Sequence, residues 1–395
     1  MNGRWLRWKV WRGVFRVLPL ARRYSFPLAG AAATDTAQQI LDDTTVLVSG
    51  AFTPEQMHQV VVPAQINDKI RVRRAPAGSS HFERQIAIVP NCAVLGHVNA
   101  VIRTSDGAML QARAGRPPNW NFAKPQKLRS RAMGDGLVTS MEGTRHYYHF
   151  FERLLPLLGY LEREHTPGEA LTILVPAKGP PFQHSVCQAV EAAYPGVTFL
   201  DLGPDERAEV PRYLWLHEAA DNTEWLPVTA ESAARLGAVV RSQYGQSPPR
   251  GGELMFFTRG NAKQRQLLNA APLEAIAASR GFARFTAVSS NHADQVQRFG
   301  NADVIVAVHG AGLTNLLFAR PGTTVIELFP ENCVKSTYLW LSNRLNIRHH
   351  ALLGSSGDYH QAFHVDPDRF AARLDKILAL SPQHAFSSAT AQAST

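Results

Sequence analysis

The chain has 395 residues, 45% of them hydrophobic and 18% charged, which excludes a disordered or collagen-like polypeptide and suits two α/β domains. Its net charge is +9, yet Arg4, Arg7, Lys9, Arg12, Arg16, Arg22 and Arg23 fall within residues 1–30, where there is no acid. The rest is near neutral, which argues against a surface built throughout for nucleic acid.

In the basic segment 1–30, the cations alternate with Trp5, Leu6, Trp8, Val10, Trp11, Val14 and Phe15. A helix of that composition suits an anionic membrane interface, and it equally suits a helix packed on the body with its arginines in water. No stretch is long and apolar enough for a signal peptide or a span. Cys92, Cys187 and Cys333 are odd in number and widely spaced, so a reducing, cytoplasmic setting is expected, with peripheral contact to the inner face of the membrane through residues 1–23 as an option.

From Thr34 to Met133 short β-type runs (Thr45 to Val48, Gln59 to Val62, Gln85 to Val89, Ala93 to Leu95, Ala100 to Arg103) are broken by Pro, Gly and Asn. The period then becomes helical over His149 to Glu164, where Pro156 is expected to kink the helix or begin its main part. A strand at Leu171 to Val175, a helix at Phe182 to Tyr194 and strands at Thr198 to Leu200 and Tyr213 to Leu216 read as parallel βαβ units. After a helix over Thr229 to Tyr244, capped by Thr229, the stretch Ser242 to Glu253 with its Pro-Pro-Arg-Gly-Gly breaks every period and reads as a domain boundary. Beyond it strands at Leu254 to Thr258, Phe282 to Phe285, Asp303 to Val308, Thr324 to Phe329 and Ile347 to Ala351 alternate with helices. These are Pro272 to Arg280, Asn291 to Phe299 (capped by Asn291), Leu313 to Ala319, Thr337 to Leu345 and Asp368 to Leu380. That is the pattern of a doubly wound parallel sheet, whose ligands bind at the carboxyl ends of its strands. The domains expected are thus 1–30, 31–241, 254–365, a C-terminal helix 366–380 and a disordered Ser/Ala/Thr/Gln tail 381–395.

Three segments carry candidate chemistry. His309-Gly310-Ala311-Gly312-Leu313-Thr314-Asn315 follows a strand and opens a helix, where free amides favour an anion such as phosphate. It lacks the third glycine of a dinucleotide fingerprint and the lysine of a P-loop, which disfavours a dehydrogenase or ATPase. Thr258-Arg259 at another strand end, with Lys263 and Arg265 behind, could make bidentate bonds to a diphosphate or stand as solvated loop cations. Glu327 interrupts an apolar strand and must either be paired or read a polar ligand such as ribose hydroxyls. In the first domain His149 and Glu152 share a helix face, as a proton-transfer pair or a helix-fixing one. His146 with these two makes a poor metal set, because steps of three drift around the helix. Asp366-Pro367-Asp368 reads as a helix cap, not a metal-binding acid pair.

Taken together, Phe257-Thr258-Arg259, Phe299 to Val306, His309 to Asn315 with Leu317-Phe318-Ala319, Pro321 to Glu327, and His146 to Glu152 with Leu155-Pro156 resemble glycosyltransferase family 61. The bacterial members it is most similar to make capsular or surface polysaccharide. Thr258 and Glu152 stand where the family pattern has Ser and often Asp. The resemblance implies an α/β, GT-B-like fold, two Rossmann-like domains facing across a cleft, with the last helix packing back on the N-terminal domain. It implies an inverting transfer without a metal or cofactor, from a nucleotide sugar, a UDP-sugar being favoured, to a glycan or lipid-linked glycan hydroxyl. The diphosphate would be met by Thr258, Arg259, Lys263, Gly310, Ala311, Gly312, Thr314 and Asn315, the ribose by Glu327, and His309 would border the phosphates. The acceptor proton would go to Glu152, preferred over His149. The rival readings are a nucleotide-sugar or phosphosugar isomerase or epimerase, and a non-catalytic protein that binds glycan or membrane.

Overall fold

The computed structural model describes residues 45–51, 83–96, 100–105, 109–110, 128–141, 145–219, 230–260, 264–286, 292–335 and 337–379. The segment 1–30, the strand expected at 59–62, the caps expected at Thr229 and Asn291, Lys263 and the tail 381–395 lie outside the described residues. The chain forms two compact units that divide at Thr223/Glu224.

The first unit is a mixed nine-stranded sheet. Its strands are β1 (Thr45–Ala51), β2 (Glu83–Leu95), β3 (Ala100–Arg103), β4 (Met109–Leu110), β5 (Arg129–Ala132), β6 (Leu137–Ser140), β7 (Leu171–Pro176), β8 (Val197–Leu202) and β9 (Glu206–Ala219). The order is β4-β3-β2-β9-β6-β7-β8, with β1 also on β2 and β5 also on β9. The strands β9, β6, β7 and β8 run parallel, joined by the helices α1 (Tyr147–Arg163) and α2 (Pro181–Ala193). This is the Rossmann-like part.

The remainder corrects the sequence reading. Tyr213 to Leu216 is part of the long β9, which is parallel to β6 at Val138↔Tyr213 as expected, but which pairs antiparallel on its other edge with β2 from Glu83↔Ala219 to Leu95↔Arg207. Likewise Gln85 to Val89 and Ala93 to Leu95 are one strand. Pro90 and Asn91 do not break it, because Asn91 takes a left-handed φ of 52° and its carbonyl accepts from both N and Oγ1 of Thr104. Pro156 neither starts nor ends α1, which is helical from Tyr147 through Arg163. Cys92, Cys187 and Cys333 are in no disulfide.

The second unit holds a five-stranded, fully parallel sheet: β10 (Glu253–Thr258), β11 (Ala283–Thr286), β12 (Ala302–Val308), β13 (Thr324–Phe329) and β14 (Arg348–Leu353). Its order, β11-β10-β12-β13-β14, means that the chain leaves β10 first to one side and later returns on the other. The crevice at the carboxyl ends of β10 and β12 is therefore the topological switch point, where open α/β sheets bind ligands. The helices are α3 (Ala230–Gln243), α4 (Ala270–Ala278), α5 (His292–Asn301), α6 (Thr337–Arg344) and α7 (Pro367–Ala379), with a 3-10 helix at Ala311–Phe318 in place of the α-helix expected there.

Helix α3 packs against the 3-10 helix and α5, so the division falls before it and not within the Pro/Gly stretch that follows. In α7, Phe370, Leu374 and Ile377 join Leu254, Phe256 and Val306 in one core, and Phe370 sits edge-on to Phe256. That apolar face is thus engaged within the second unit, where the resemblance implied packing on the N-terminal domain. Asp366 caps α7 through Oδ1, which accepts from the Arg369 amide at 2.8 Å, as the cap reading expects. Among the described residues no helix is long and apolar enough to cross a membrane.

At the start of α5, His292 Nδ1 lies 2.7 Å from the Tyr244 hydroxyl, and burial pushes the ring from 6.5 down to about 4. A histidine kept neutral in the folded chain but free to take a proton when unfolded makes the unfolded state bind more protons between those values. Stability is then fully present above about 6.5 and falls by roughly 3 kcal/mol as pH drops to about 4. Urea unfolding of the second unit across that range should show this slope, and His292→Gln should flatten it; a slope unchanged by the substitution would contradict the assignment.

Candidate functional site

The switch point is built by two loops. Arg259 leaves the end of β10 and His309 leaves the end of β12. The Arg259 Nη1 donates to the carbonyls of Gln264 at 2.9 Å and His309 at 3.3 Å, while Arg265 Nε donates to the same His309 carbonyl at 3.1 Å. Arg265 is held in a left-handed backbone, φ 54°, with its amide bonded to the His360 carbonyl and Nη1 to Gln361 Oε1 at 3.4 Å.

Two guanidiniums therefore converge on one peptide, and neither meets a carboxylate among the described residues. Burial, and secondarily the charge of Arg265, pull Arg259 from 12.5 down to about 10. Arginine stays charged at neutral pH. Burial is the main cause of the shift, and a bound anion would oppose it.

The glycines act differently from their sequence reading. A Cβ on Gly310 would come within 2.7 Å of Arg259 Nε and 2.8 Å of its Cζ, and one on Gly312 within 2.5 Å of the Phe257 ring. Gly310 has an ordinary extended backbone, φ 167°. Its missing side chain thus makes room for the guanidinium, and that of Gly312 for a core ring. Ala311 is half-buried at the start of the 3-10 helix.

Three other expected anion ligands spend their side chains on the fold. Thr258 Oγ1 is 2.6 Å from Thr286 Oγ1 on the neighbouring strand. Thr314 is fully buried with Oγ1 at 3.4 Å from the Tyr338 hydroxyl. Asn315 Nδ2 donates to Gln295 Oε1 and to the Gly312 carbonyl, both at 2.9 Å, which locks the turn after the loop.

Glu327 does not present itself to a ligand as the ribose reading requires. It is fully buried on a strand whose every residue is buried. Its Oε1 bonds His309 Nδ1 at 2.5 Å and its Oε2 bonds His349 Nε2 at 2.7 Å. Burial alone would raise this carboxyl, but the two histidines hold it below its usual value. Register explains the contact: Val325 pairs with His349 and Glu327 with Ala351, so His349 sits diagonally from Glu327 on one sheet face. Two positions on, Phe329 stacks on the His309 ring at 5.1 Å. Sequence reasoning missed His349, whose strand pattern alone shows no ligand spacing.

In the first unit, α1 connects the parallel strands β6 and β7, so its N-terminal turns stand at the carboxyl end of β6. There His149 Nδ1 is 2.9 Å from Glu152 Oε2, with the His149 side chain 39% exposed and that of Glu152 1%. The other oxygen, Oε1, accepts from the Tyr148 hydroxyl at 3.1 Å. A buried carboxylate that fixes one nitrogen of a half-exposed imidazole leaves the other outward. Burial, then the charge of His149, pushes the nearby His146 below 6.5. Among the described residues no cluster of donors could hold a metal ion.

Gly310→Ala should displace the Arg259 guanidinium while leaving the backbone unstrained. Calorimetric titration with inorganic pyrophosphate should show affinity lowered about tenfold or more, the order of one hydrogen bond to a charged group; wild-type affinity would mean that Arg259 does not need its present place.

The sequence pattern of the family Glycosyltransferase 61 matches residues 147–326, a span that includes the His149–Glu152 pair, Arg259 and the His309 loop. No curated protein matches the chain.

Proposed function

We propose that this chain is a sugar transferase of glycan biosynthesis, taking a nucleotide-sugar donor and a glycan acceptor, and that its second unit binds the donor diphosphate at the switch point for an inverting, metal-independent transfer; the match of residues 147–326 to glycosyltransferase family 61 supports this reading. The observation that carries this reading is the pair Arg259 and Arg265, converging beside Gly310 without a carboxylate partner among the described residues. Departure of a nucleoside diphosphate builds negative charge, and preorganised cations in a buried site stabilise it more than water does.

An inverting displacement needs a base for the acceptor hydroxyl. His149 takes that role here and Glu152 positions it. The carboxylate accepts the Nδ1 proton and leaves Nε2 as the basic nitrogen, the division of labour by which a buried acid orients an imidazole in acyl-transfer enzymes. This reverses the preference for Glu152 as base, because that side chain is buried with both oxygens bonded.

The finer features belong to the same proposal: a GT-B arrangement of two Rossmann-like domains, a UDP-sugar donor, and a capsular or surface glycan as acceptor. The proposed location is the cytoplasmic face of the membrane, held through the basic segment 1–23. Removing residues 1–23 and following the protein between membrane and soluble fractions tests that location.

A thermal-shift screen with UDP, GDP and CMP should show stabilisation by one of them, by mass action on the folded state. Arg259→Ala should lower transfer by roughly 100-fold or more, comparable to losing one charge-stabilising donor at a transition state; turnover at the wild-type rate would exclude the diphosphate role.

His149→Ala should cost roughly 10²–10⁴-fold in kcat, with nucleotide stabilisation unchanged. Glu152→Gln should also slow transfer and leave donor binding intact. A His149→Ala enzyme as fast as wild type would return the base role to another group.

A further inference from the structure

The fully buried Glu327 carboxylate has two imidazoles and, among the described residues, no arginine or lysine in contact. Glu152 shares its charge with a half-exposed imidazole that water can reach, whereas both rings on Glu327 are themselves buried; a second proton on one of them supplies the matching positive charge that a wholly buried anion otherwise lacks. The structure distinguishes them. His349 Nδ1 is sealed from solvent with no partner among the described residues, so a proton there would be an N–H donor buried without an acceptor. His349 is accordingly the neutral ring, with its single proton on Nε2 toward Glu327. His309 has the complementary geometry: Nδ1 meets Glu327 Oε1 at 2.5 Å, while Nε2 has no hydrogen bond among the described residues and is not among the sealed unpartnered atoms. The small surface that this ring exposes is 5% of the side chain.

The groups facing His309 are Glu327 from β13, the rings of Phe329 and Tyr338, and the guanidiniums of Arg259 and Arg265 at its carbonyl. The arginines oppose a further cation, but the carboxylate touches the ring itself, and at low dielectric the nearer charge dominates. On β14, Arg348 and His350 alternate to the other face from His349.

We propose that His349 is a positioning residue: through Glu327 it keeps His309 doubly protonated, so that the loop whose carbonyl holds the two guanidiniums offers an imidazolium N–H at Nε2 to the leaving diphosphate. The diphosphate part rests on the transferase reading; the protonation part does not. No covalent step is involved, only a hydrogen bond that strengthens as charge develops on the leaving oxygens.

The test is ¹⁵N NMR of the histidine-labelled full chain near neutral pH, with signals assigned through His309→Gln and His349→Gln. The expected spectrum has protons on both His309 nitrogens and on Nε2 alone of His349. A neutral His309, or a His349 carrying its proton on Nδ1, would falsify the proposal without any donor being present. His349→Leu should leave Glu327 half-bonded and let His309 exchange between ring states, whereas His349→Gln, which retains an N–H toward Oε2, should restore the single state. Identical His309 signals in the wild type and His349→Leu would remove the positioning role, and if His349→Leu does not fold, Glu327→Gln decides by whether His309 falls to one proton.

For the ligand half, affinity for inorganic pyrophosphate should drop about tenfold or more in Glu327→Gln and stay within about twofold in His349→Gln. Unchanged affinity in a folded Glu327→Gln overturns the imidazolium donor. A wild type that binds no pyrophosphate defeats the anion-site reading instead, and the free-protein spectrum still judges the relay.

Discussion

A carboxylate removed wholly from water is the constraint around which the second unit is arranged. Glu327 sits in the middle of a strand buried from end to end, where an unpaired charge would be too costly to keep. Its two histidines discharge that cost from different elements, His349 from the neighbouring strand and His309 from the loop past β12. One carboxyl group thereby ties an edge strand, a central strand and the ligand loop together. The loop's backbone is in turn set by that bond, by the Phe329 ring under His309 and by Asn315 beyond it.

With the loop held, its outer side concentrates positive charge. Arg259 and Arg265 both donate to the His309 carbonyl, and the glycine at 310 lets a guanidinium lie against the main chain. Under the proposed reading, a bound anion would complete this arrangement of two half-buried cations at one peptide. The division is between side chains whose polar atoms are used within the fold and side chains that the proposed reading assigns to the ligand. Thr258, Thr314, Asn315 and Glu327 are of the first kind. Arg259, Arg265 and the outer edge of His309 are of the second.

The first unit repeats the logic on a smaller scale. A buried acid, Glu152, organises a half-exposed histidine at the start of a helix that follows a parallel strand. In both units a carboxylate hidden by the fold bonds one nitrogen of an imidazole that is less buried than itself. The tyrosine hydroxyl on the second oxygen of Glu152 leaves that acid oriented, as His349 does for Glu327.

Residue order alone determined the alternation of strands and helices from Leu254 onward, the apolar run at Asp303 to Val308, and the place of Arg259 and His309 just past strand ends, because these depend on periodicity and on residue type within one short segment. The helix bearing His149 and Glu152 was legible for the same reason: three steps along a helix always share a face. Tertiary structure decided what depends on neighbours distant in the chain. Pro90 and Asn91 look like strand breakers until β9 pairs alongside them. Glu327 looks equally like a ribose ligand or a paired acid until register brings His349 diagonal to it. Gly310 and Gly312 look like an open anion cradle until Arg259 and Phe257 are seen to fill the space. Local pattern reports what a residue can do; only the packing of strands far apart in sequence assigns the partner that uses up, or leaves open, its polar atoms.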